Sequence, residues 1–509
     1  MLLGLRRFSV LIGVLAAVVA VAALPSAAAR AYGIRVSVTT MPATRPLPAD
    51  FLGLALEYNT IPRWVGNGSE PVDPVLVQLI RNLAPTGRPS IRIGGQSTER
   101  TWWPVPGVAR PLGVTYNLTP SWAGSAQALA KMIDAQLLLG INLEADRTRI
   151  SQAEADQLQA VGSNYIGALV IGNEPDLYPT MPWYKLINGK PAPWYDQAGT
   201  PVFSRGPGYG VTRFVNEFLR TLRVMPQLPI AGPDASTGWL DTFSHFLSPG
   251  SRVRMLTSHA YGLNQCVPDP TSPLYPSVPN LLRLSASRNL LLGTSPAVAR
   301  AHRSGATFRI DEMGSITCNG RQGVSDTMAS ALWLLDALFA VARQGVDGVN
   351  LHTYPNSANG LFDLQRTNGA WNASVHPLYY GALMFAQAAP AGSRMVRVAA
   401  PTQNGLRAWA TLGPDQRVRV VVINAGLNGG IRAQVRAPAL YRSNPGGLER
   451  LQASSAYASH GVTLGGQQFG TTTTGALPPP VPQIVKPHRG IYAVTLPPGS
   501  AALLTLTRP

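Results

Sequence analysis

Two glutamates, Glu174 and Glu312, each follow a short apolar run, as an acid at the end of a buried strand would. The runs are Ala168–Ile171, which leads into an Asn-Glu-Pro sequence, and Phe308–Ile310. A lone carboxylate beside such a strand is costly to bury. Two that face one cavity can cleave a glycosidic bond, because one donates a proton to the leaving oxygen and the other attacks the anomeric carbon. A glycosidase pair is therefore predicted, and a structural ion pair or helix cap is the alternative for each glutamate.

The scaffold must bring the two strand ends together. From about residue 50 to 385, apolar runs alternate with amphipathic stretches, which is typical of a parallel α/β fold. Helices are predicted over Ser121–Leu139 and Ser325–Ala342. Eight strands are predicted to end near Leu56, Ile93, Leu143, Ile171, Ala231, Ser258, Ile310 and Leu351. Eight such units predict a (β/α)8 TIM barrel, an α/β fold whose active site lies at the C-terminal ends of its strands.

Beyond about Met384 the pattern changes to that of a β domain. Arg417–Val420 alternates in polarity, and Ile491–Leu506 reads as two strands around a Pro-Pro-Gly turn. A C-terminal antiparallel β-sandwich is predicted, which Ile34–Thr39 could join as an extra strand. The expected organisation is a signal peptide at 1–29, a strand segment at 30–48, a catalytic barrel at 49–385 and the sandwich at 386–509.

The N-terminus has the pattern of a secretory signal. Arg6 and Arg7 precede an apolar run from Val10 to Leu24, and small residues follow up to Ala29. The run is shorter than the roughly 18 residues of a membrane span. Cleavage near Ala29 and a secreted or envelope location are therefore expected, with no membrane span left afterwards. An uncleaved anchor is the alternative.

The cysteine count and the net charge indicate the redox environment of the protein and the kind of partner that it binds. Cys266 and Cys318 are the only cysteines, and a lone pair in an exported protein predicts a disulfide, with two free thiols as the alternative. Two thiols make a poor zinc site, and no metal or organic cofactor is implied. The formal net charge of +17 suits an acidic polysaccharide, although a genomic base composition that favours Arg codons would produce the same excess of positive charge. The mature chain has no run of adjacent basic residues, so no nucleic-acid partner is expected.

Asn-Glu-Pro after the fourth strand, with a glutamate after the seventh, resembles clan A, the retaining glycosidases built on (β/α)8 barrels. Within that clan the chain is similar to glycoside hydrolase family 79, the β-glucuronidase and heparanase family. The resemblance covers nearly the whole mature chain and the predicted sandwich. The segments that carry it are Phe51–Asn59, Ile91–Thr98, Gly232–Asp234, His259–Tyr261, Glu312–Thr327 and Pro377–Gly381.

The resemblance implies catalytic roles. Glu174 would be the general acid/base and Glu312 the nucleophile. Asn173 would hydrogen-bond the sugar 2-hydroxyl, a contact that strengthens at the transition state. Tyr261 would donate to Glu312 and keep it ionised.

The resemblance also implies a binding site for the sugar. Glu57 and Gln96 would hold its hydroxyls. A uronate carboxylate would be bound by the backbone N–H groups of Asn319 and Gly320, because a turn of amides can cradle an anion, with Tyr354 as a candidate further ligand. A disulfide between the two rim cysteines would rigidify that turn.

Several residues near the predicted site keep two interpretations. Arg92 could reach Glu174 or Glu312, or could be structural. Asp311 should point away from Glu312 on a regular strand and so be structural. Glu57 could instead pair with a rim arginine, and His259 and His352 could be histidines without substrate contact.

Together these patterns predict an exported retaining glycoside hydrolase that acts on β-glucuronides or other uronate-containing glycans. One alternative is another clan A enzyme, such as an arabinofuranosidase or xylosidase. The other is a non-catalytic envelope protein that binds polysaccharide.

Overall fold

Eight parallel strands form a closed barrel in the computed structural model, which describes residues 32–66 and 71–509. The strands are β1 (Leu52–Glu57), β2 (Ser90–Gly94), β3 (Gln136–Ile141), β4 (Ile166–Ile171), β5 (Ile230–Ala235), β6 (Val253–Leu263), β7 (Thr307–Ile316) and β8 (Gly348–His352). Each pairs with the next, and β8 pairs with β1. The predicted TIM barrel is confirmed. The predicted signal peptide lies outside the described residues.

Helices cover the outside of the barrel, so most strand residues are buried on both faces. The described helices are Thr60–Trp64, Pro74–Leu83, Pro120–Ile133, Thr148–Leu158, Val211–Leu222, Leu240–Ser244, Val278–Leu281, Leu284–Arg288, Ser295–Arg303, Met328–Arg343 and Pro377–Ala388. The last two are buried on nearly every side, because the β domain packs on their outer faces.

The predicted helix Ser121–Leu139 was wrong at its C-terminal end. The helix stops at Ile133, where Asp134 takes a left-handed conformation with φ of 50°, and β3 begins at Gln136. The run of leucines in β3 is buried on both faces and so lacks the alternation that marks a half-buried strand. A short run of this kind has the same pattern as the buried face of a helix.

The C-terminal region is a ten-stranded sheet folded around its own core. Its strands are Tyr32–Pro42, Arg394–Ala399, Leu406–Leu412, Val418–Asn424, Ile431–Arg436, Gly446–Gln452, Thr463–Leu464, Gln483–Val485, Ile491–Leu496 and Ser500–Leu506. The N-terminal strand joins this domain, as predicted. It pairs antiparallel with Arg394–Ala399 and parallel with Ile431–Arg436, the parallel pair being an exception to the predicted antiparallel order.

One buried acid joins the barrel to the β domain. Asp336, on the helix Met328–Arg343, accepts hydrogen bonds from Arg407 Nη1 and Trp409 Nε1, both at 2.8 Å. Both donors lie on the strand Leu406–Leu412. A buried charge needs a partner, so these bonds fix how the sheet sits on the barrel. Among the described residues, no helix is long and apolar enough to cross a membrane.

Candidate active site

Glu174 and Glu312 meet at the C-terminal end of the barrel. A carboxylate oxygen of Glu174 lies within 4.8 Å of one of Glu312. Glu312 lies within β7, and Glu174 follows β4. The backbone of Glu174 is left-handed, with φ of 46°, a conformation that is uncommon for a residue with a side chain and concentrates at functional sites. Its N–H donates to the carbonyl of Asp234 at 2.8 Å, which holds this turn against β5.

A β-bulge places Glu312 in the site. Ser258 of β6 pairs with Ile310, but His259 pairs with Glu312, so Asp311 is an extra residue in β7. The expectation that Asp311 points away from the site is therefore wrong. The bulge interrupts the alternation of side chains, and both acids lie near the same buried cation, Arg92.

Arg92 is a buried cation below the two glutamates, with a side chain that is 1% exposed. Its Nη1 donates to Glu312 Oε2 at 2.8 Å. Its Nη2 donates to Asn173 Oδ1 and to Asp234 Oδ2, both at 2.7 Å. Of the open interpretations of Arg92, the structure selects contact with Glu312, and the guanidinium connects strands β2, β4, β5 and β7.

Glu312 is surrounded by donors, as a nucleophile that must stay ionised requires. Tyr261 donates its O–H to Glu312 Oε1 at 2.6 Å, and His352 Nδ1 lies 3.2 Å from the same oxygen. Burial alone would raise the pKa of Glu312, but the charges of His352, His259 and Arg92 hold it well below its usual range. The Tyr261 ring fits because Gly314 lies beside it, where a Cβ would come within 2.6 Å of the ring.

Glu174 has fewer polar contacts than Glu312 and is partly open to solvent, with a side chain that is 20% exposed. His259 Nδ1 lies 3.0 Å from Glu174 Oε1, and Gln96 Nε2 donates to Oε2 at 2.9 Å. Burial lowers the pKa of His259, but Glu312 and Asp234 raise it well above its usual value overall. His259 is therefore a cation that stabilises Glu174 whenever Glu174 is ionised.

Asn173 is in place beside the pair, and a second buried acid holds it there. Its side chain accepts from Arg92, so its amide N–H₂ is directed elsewhere. Its backbone N–H donates to Glu99 Oε1 at 2.7 Å. Glu99 also accepts from the N–H groups of Leu143 and Glu144, at 3.0 and 2.8 Å. Glu99 thus positions the turn that carries the acid/base candidate.

Glu57 is also in the site, on the nucleophile side. It pairs with His352 Nε2 at 3.1 Å and accepts from the N–H of Ser97 at 2.8 Å, so its ion-pair partner is a histidine rather than a rim arginine. Gly95, with φ of 72°, makes this approach possible, because a Cβ there would lie 2.2 Å from Glu57 Oε1. Gln96 lies on the other side, against Glu174.

The loop after β7 carries Asn319 and Gly320, and both have left-handed backbones. Tyr354, after β8, donates its O–H to Asn319 Oδ1. The N–H of Gly320 makes only a long bond, 3.4 Å, to the carbonyl of Thr317. The three predicted carboxylate ligands are therefore adjacent to one another on the nucleophile side of the site.

The predicted disulfide is not confirmed. Cys266 and Cys318 lie on neighbouring rim loops, as expected, but both are free thiols with sulfurs 3.9 Å apart. A disulfide bond requires about 2.05 Å. Burial and the neighbouring thiol raise the pKa of Cys318 to about 11, so the thiol is protonated at neutral pH.

Within the part of the chain that the structure describes, two groups of side chains come close enough to hold a metal ion: Glu174, His259 and Glu312, and Asp234, His259 and Asp311. They do not fit one, because the same oxygens already face cations. Arg92 donates to Glu312 and Asp234, and the shared His259 is itself a cation. A further positive charge there would be repelled.

The chain is similar to known proteins both in sequence and in structure. No family model matches the chain. It is 22% identical to a β-glucuronidase of Neurospora crassa over 89% of this chain and 90% of the relative. It is 24% identical to a β-glucuronidase of Aspergillus niger over 75% of this chain and 72% of the relative.

Among solved structures, the chain resembles a 4-O-α-L-rhamnosyl-β-D-glucuronidase of Fusarium oxysporum. The TM-score is 0.68 and the identity 19%, over 93% of this chain and all of the other. A family 51 arabinofuranosidase of Xanthomonas axonopodis matches with a TM-score of 0.62 and 14% identity, over the same shares of the two chains. At these identities the structural likeness shows a shared fold.

Sequence analysis missed Glu99 and Asp234, and His259 and His352 were among the residues that it left undecided. Asp234, His259 and His352 lie in the C-terminal halves of barrel strands, and Glu99 lies in the segment that follows β2. That position marks them as candidates in a TIM barrel. Which of them contact the glutamates depends on bulges and side-chain directions that the sequence pattern does not contain.

The charge on His352 predicts a pH-dependent stability. Burial lowers the pKa of His352, but Glu312 and Glu57 raise it to about 9 overall, against 6.5 in the unfolded chain. Because the folded-state pKa is the higher, the stabilisation is fully present below about pH 6.5 and is lost as the pH rises through about 9. The unfolding free energy of the wild type should exceed that of His352→Gln by more at pH 6 than at pH 9.5, by at most about 3 kcal/mol.

Chemical denaturation of both proteins across this range provides the test. Subtracting the variant removes the titration of all groups that the two proteins share. A difference that stays constant with pH would mean that His352 is not charged in the folded protein.

Proposed function

We propose that this protein is a retaining glycoside hydrolase of clan A, similar to family 79, that acts on β-glucuronides. The proposal rests on the closeness of the two acids, since a carboxylate oxygen of Glu174 lies within 4.8 Å of one of Glu312 at the C-terminal end of the barrel. Retaining enzymes hold their carboxyl groups about 5 Å apart, whereas inverting enzymes keep them about 6.5 to 9.5 Å apart to admit a water. The sequence relatives named β-glucuronidase support the substrate class.

In the first step Glu312 attacks the anomeric carbon while Glu174 protonates the leaving oxygen. The low pKa of Glu312 keeps it ionised for attack. The bond from the sugar to the leaving group breaks as a covalent glycosyl–enzyme forms. The Glu174 carboxylate left after proton donation is stabilised by the positive charge of His259, 3.0 Å away.

In the second step Glu174 acts as base. It takes a proton from a water that attacks the anomeric carbon, and the bond to Glu312 breaks, which restores both residues. Arg92, Tyr261 and His352 stabilise the carboxylate that is released. Asn173 is oriented to hydrogen-bond the sugar 2-hydroxyl through its amide N–H₂, since Arg92 already occupies its oxygen.

The carboxylate of a uronate would bind at the loop after β7. The backbone N–H groups of Asn319 and Gly320 lie in a turn with left-handed residues, and the amides of a turn can cradle an anion. Tyr354 lies beside these amides, since its O–H donates to Asn319 Oδ1. Glu57 and Gln96 would hold hydroxyls of the same sugar, Glu57 from the nucleophile side and Gln96 from the acid/base side. The net charge of +17 suits an acidic glycan.

Two other functions remain as outcomes of the tests. A clan A arabinofuranosidase or xylosidase would hydrolyse the corresponding nitrophenyl glycosides rather than the glucuronide. A non-catalytic envelope protein would bind glycans without turnover, although two carboxylates held beside Arg92 and two cationic histidines are an unusual arrangement for binding alone.

The nucleophile assignment predicts the behaviour of Glu312→Ala. This variant should hydrolyse 4-nitrophenyl β-glucuronide at least about 10⁴-fold more slowly than wild type, because no covalent intermediate can form. Sodium azide should partly restore turnover by occupying the vacated space. Asp156→Ala, which changes an exposed helix residue, is the control and should keep full activity. Wild-type rates in Glu312→Ala would remove Glu312 from the mechanism.

The substrate assignment predicts a selective effect of Tyr354→Phe. The ratio of kcat/KM for β-glucuronide to that for β-glucoside should fall by about tenfold, because a partner of the substrate carboxylate is lost. Tyr457→Phe, at an exposed tyrosine of the β domain, should leave the ratio unchanged. Equal losses on both substrates would contradict a role in carboxylate recognition.

Export predicts a processed N-terminus. We expect the mature protein to start close to residue 30, as measured by N-terminal sequencing of protein recovered from outside the cytoplasm. A membrane-bound protein that still carries residues 1–29 would support an uncleaved anchor instead.

A further inference from the structure

Asp311 lies beside the proposed nucleophile but takes no part in the two chemical steps. Its side chain is fully buried, and neither of its oxygens accepts a hydrogen bond from any described residue. The nearest N–H of Arg92, on Nε, is 3.6 Å from Asp311 Oδ2, which is too long for a hydrogen bond. An ionised carboxylate without donors in a buried position would be very costly.

Asp234 has the opposite surroundings. It is equally buried, but it accepts from Arg92 Nη2 at 2.7 Å, and His259 Nε2 lies 3.3 Å from its other oxygen. Oxygens of Asp234 and Asp311 lie within 4.8 Å of each other. Two carboxyls this close in a buried site cannot both be ionised without a large penalty. Since the donors face Asp234, the negative charge belongs there and the proton belongs on Asp311.

The pKa directions agree with this division. Burial and the negative charge of Asp234 raise the pKa of Asp311 well above its usual range, and they outweigh the lowering effect of Arg92 and of His259, whose Nε2 lies 3.9 Å from Asp311 Oδ1. Burial also acts to raise the pKa of Asp234, but Arg92 and His259 outweigh it and lower that pKa. A proton shared between the two side chains would act in the same sense, raising the pKa of Asp311 and lowering that of Asp234.

We propose that Asp311 is a positioning residue held as a neutral acid, whose O–H donates to Asp234 and so fixes the carboxylate that supports His259. His259 bridges Asp234 and Glu174, with its two ring nitrogens 3.3 and 3.0 Å from them. The line Asp311–Asp234–His259–Glu174 therefore connects a buried proton to the proposed acid/base. This inference rests on the proposed function, because it takes Glu174 as the acid/base.

The neutral state of Asp311 has a consequence for charge balance. When Glu174 is protonated, three cations of the cluster face three carboxylates. The cations are Arg92, His259 and His352, and the carboxylates are Glu57, Asp234 and Glu312. An ionised Asp311 would add a fourth negative charge close to Glu312, and proton donation by Glu174 would then have to create a fifth. A neutral Asp311 therefore favours proton release in the first step.

Three variants test the inference, each checked for folding by circular dichroism. Asp311→Ala removes the donor to Asp234 and should lower kcat and shift the alkaline limb of the kcat–pH profile. Asp311→Asn keeps a neutral donor of the same shape, so its kcat should stay within about tenfold of wild type. The alkaline limb of its kcat–pH profile should lie at the wild-type position. Asp234→Asn removes the charge that faces Arg92 and His259 and should cost at least about 100-fold in kcat/KM.

A second readout does not depend on activity. When folding raises the pKa of an acid, the protein loses stability as the pH rises above the pKa that the acid has in the unfolded chain. An Asn side chain does not titrate, so Asp311→Asn lacks this loss. The melting temperature of Asp311→Asn, relative to wild type, should therefore increase from about pH 5 to about pH 8.

Two results would overturn the inference. One is a loss in Asp311→Asn as large as that in Asp234→Asn, which would mean that Asp311 carries the needed charge. The other is a melting-temperature difference that stays flat or falls with rising pH. A wild-type protein inactive on every glycoside would refute the proposed function instead, and the melting series would still decide the protonation of Asp311.

Discussion

The guanidinium of Arg92 is the constraint on which the site depends. It is almost completely buried, so its N–H donors need acceptors, and its two terminal nitrogens donate to three of them. Its partners Asn173, Asp234 and Glu312 follow or lie within three different barrel strands. One cation thus sets the distance between strand ends that are far apart in sequence. The spacing of the two glutamates follows from it, because Asn173 directly precedes Glu174.

The two glutamates differ in surroundings even though both lie near His259. Glu312 is deep in the barrel and has three donor side chains around it, which favours the charged form. Glu174 stands on a left-handed turn at the rim and is open enough for a leaving group to reach it. This asymmetry of burial and charge lets one carboxyl act as nucleophile and the other exchange protons. The fold creates it by placing one acid within a strand and the other after one.

The barrel and the catalytic pair were predictable because they depend on patterns that the sequence carries. Eight apolar runs with polar residues at their ends predict strands and a rim, and Glu174 and Glu312 were identified from that position. The helix end at Asp134 was mispredicted because the run of leucines in β3 fits the pattern of a buried strand and that of a buried helix face equally well. Asp311 was mispredicted because a bulge of one residue in β7 has no signature in the pattern of side chains. The bridging of Glu174 and Asp234 by His259 depends on side-chain packing across three strands, which no local pattern records.

The retaining mechanism requires Glu312 to form a covalent bond to the sugar. A 2-deoxy-2-fluoro-β-glucuronyl fluoride slows release of the glycosyl–enzyme, so peptide mass spectrometry after treatment can locate this bond. We expect one fluoroglucuronyl group per protein, on the side chain of Glu312. Labelling at Glu174 or Asp311 instead, or turnover to a product of inverted anomeric configuration, would rule out Glu312 as the nucleophile.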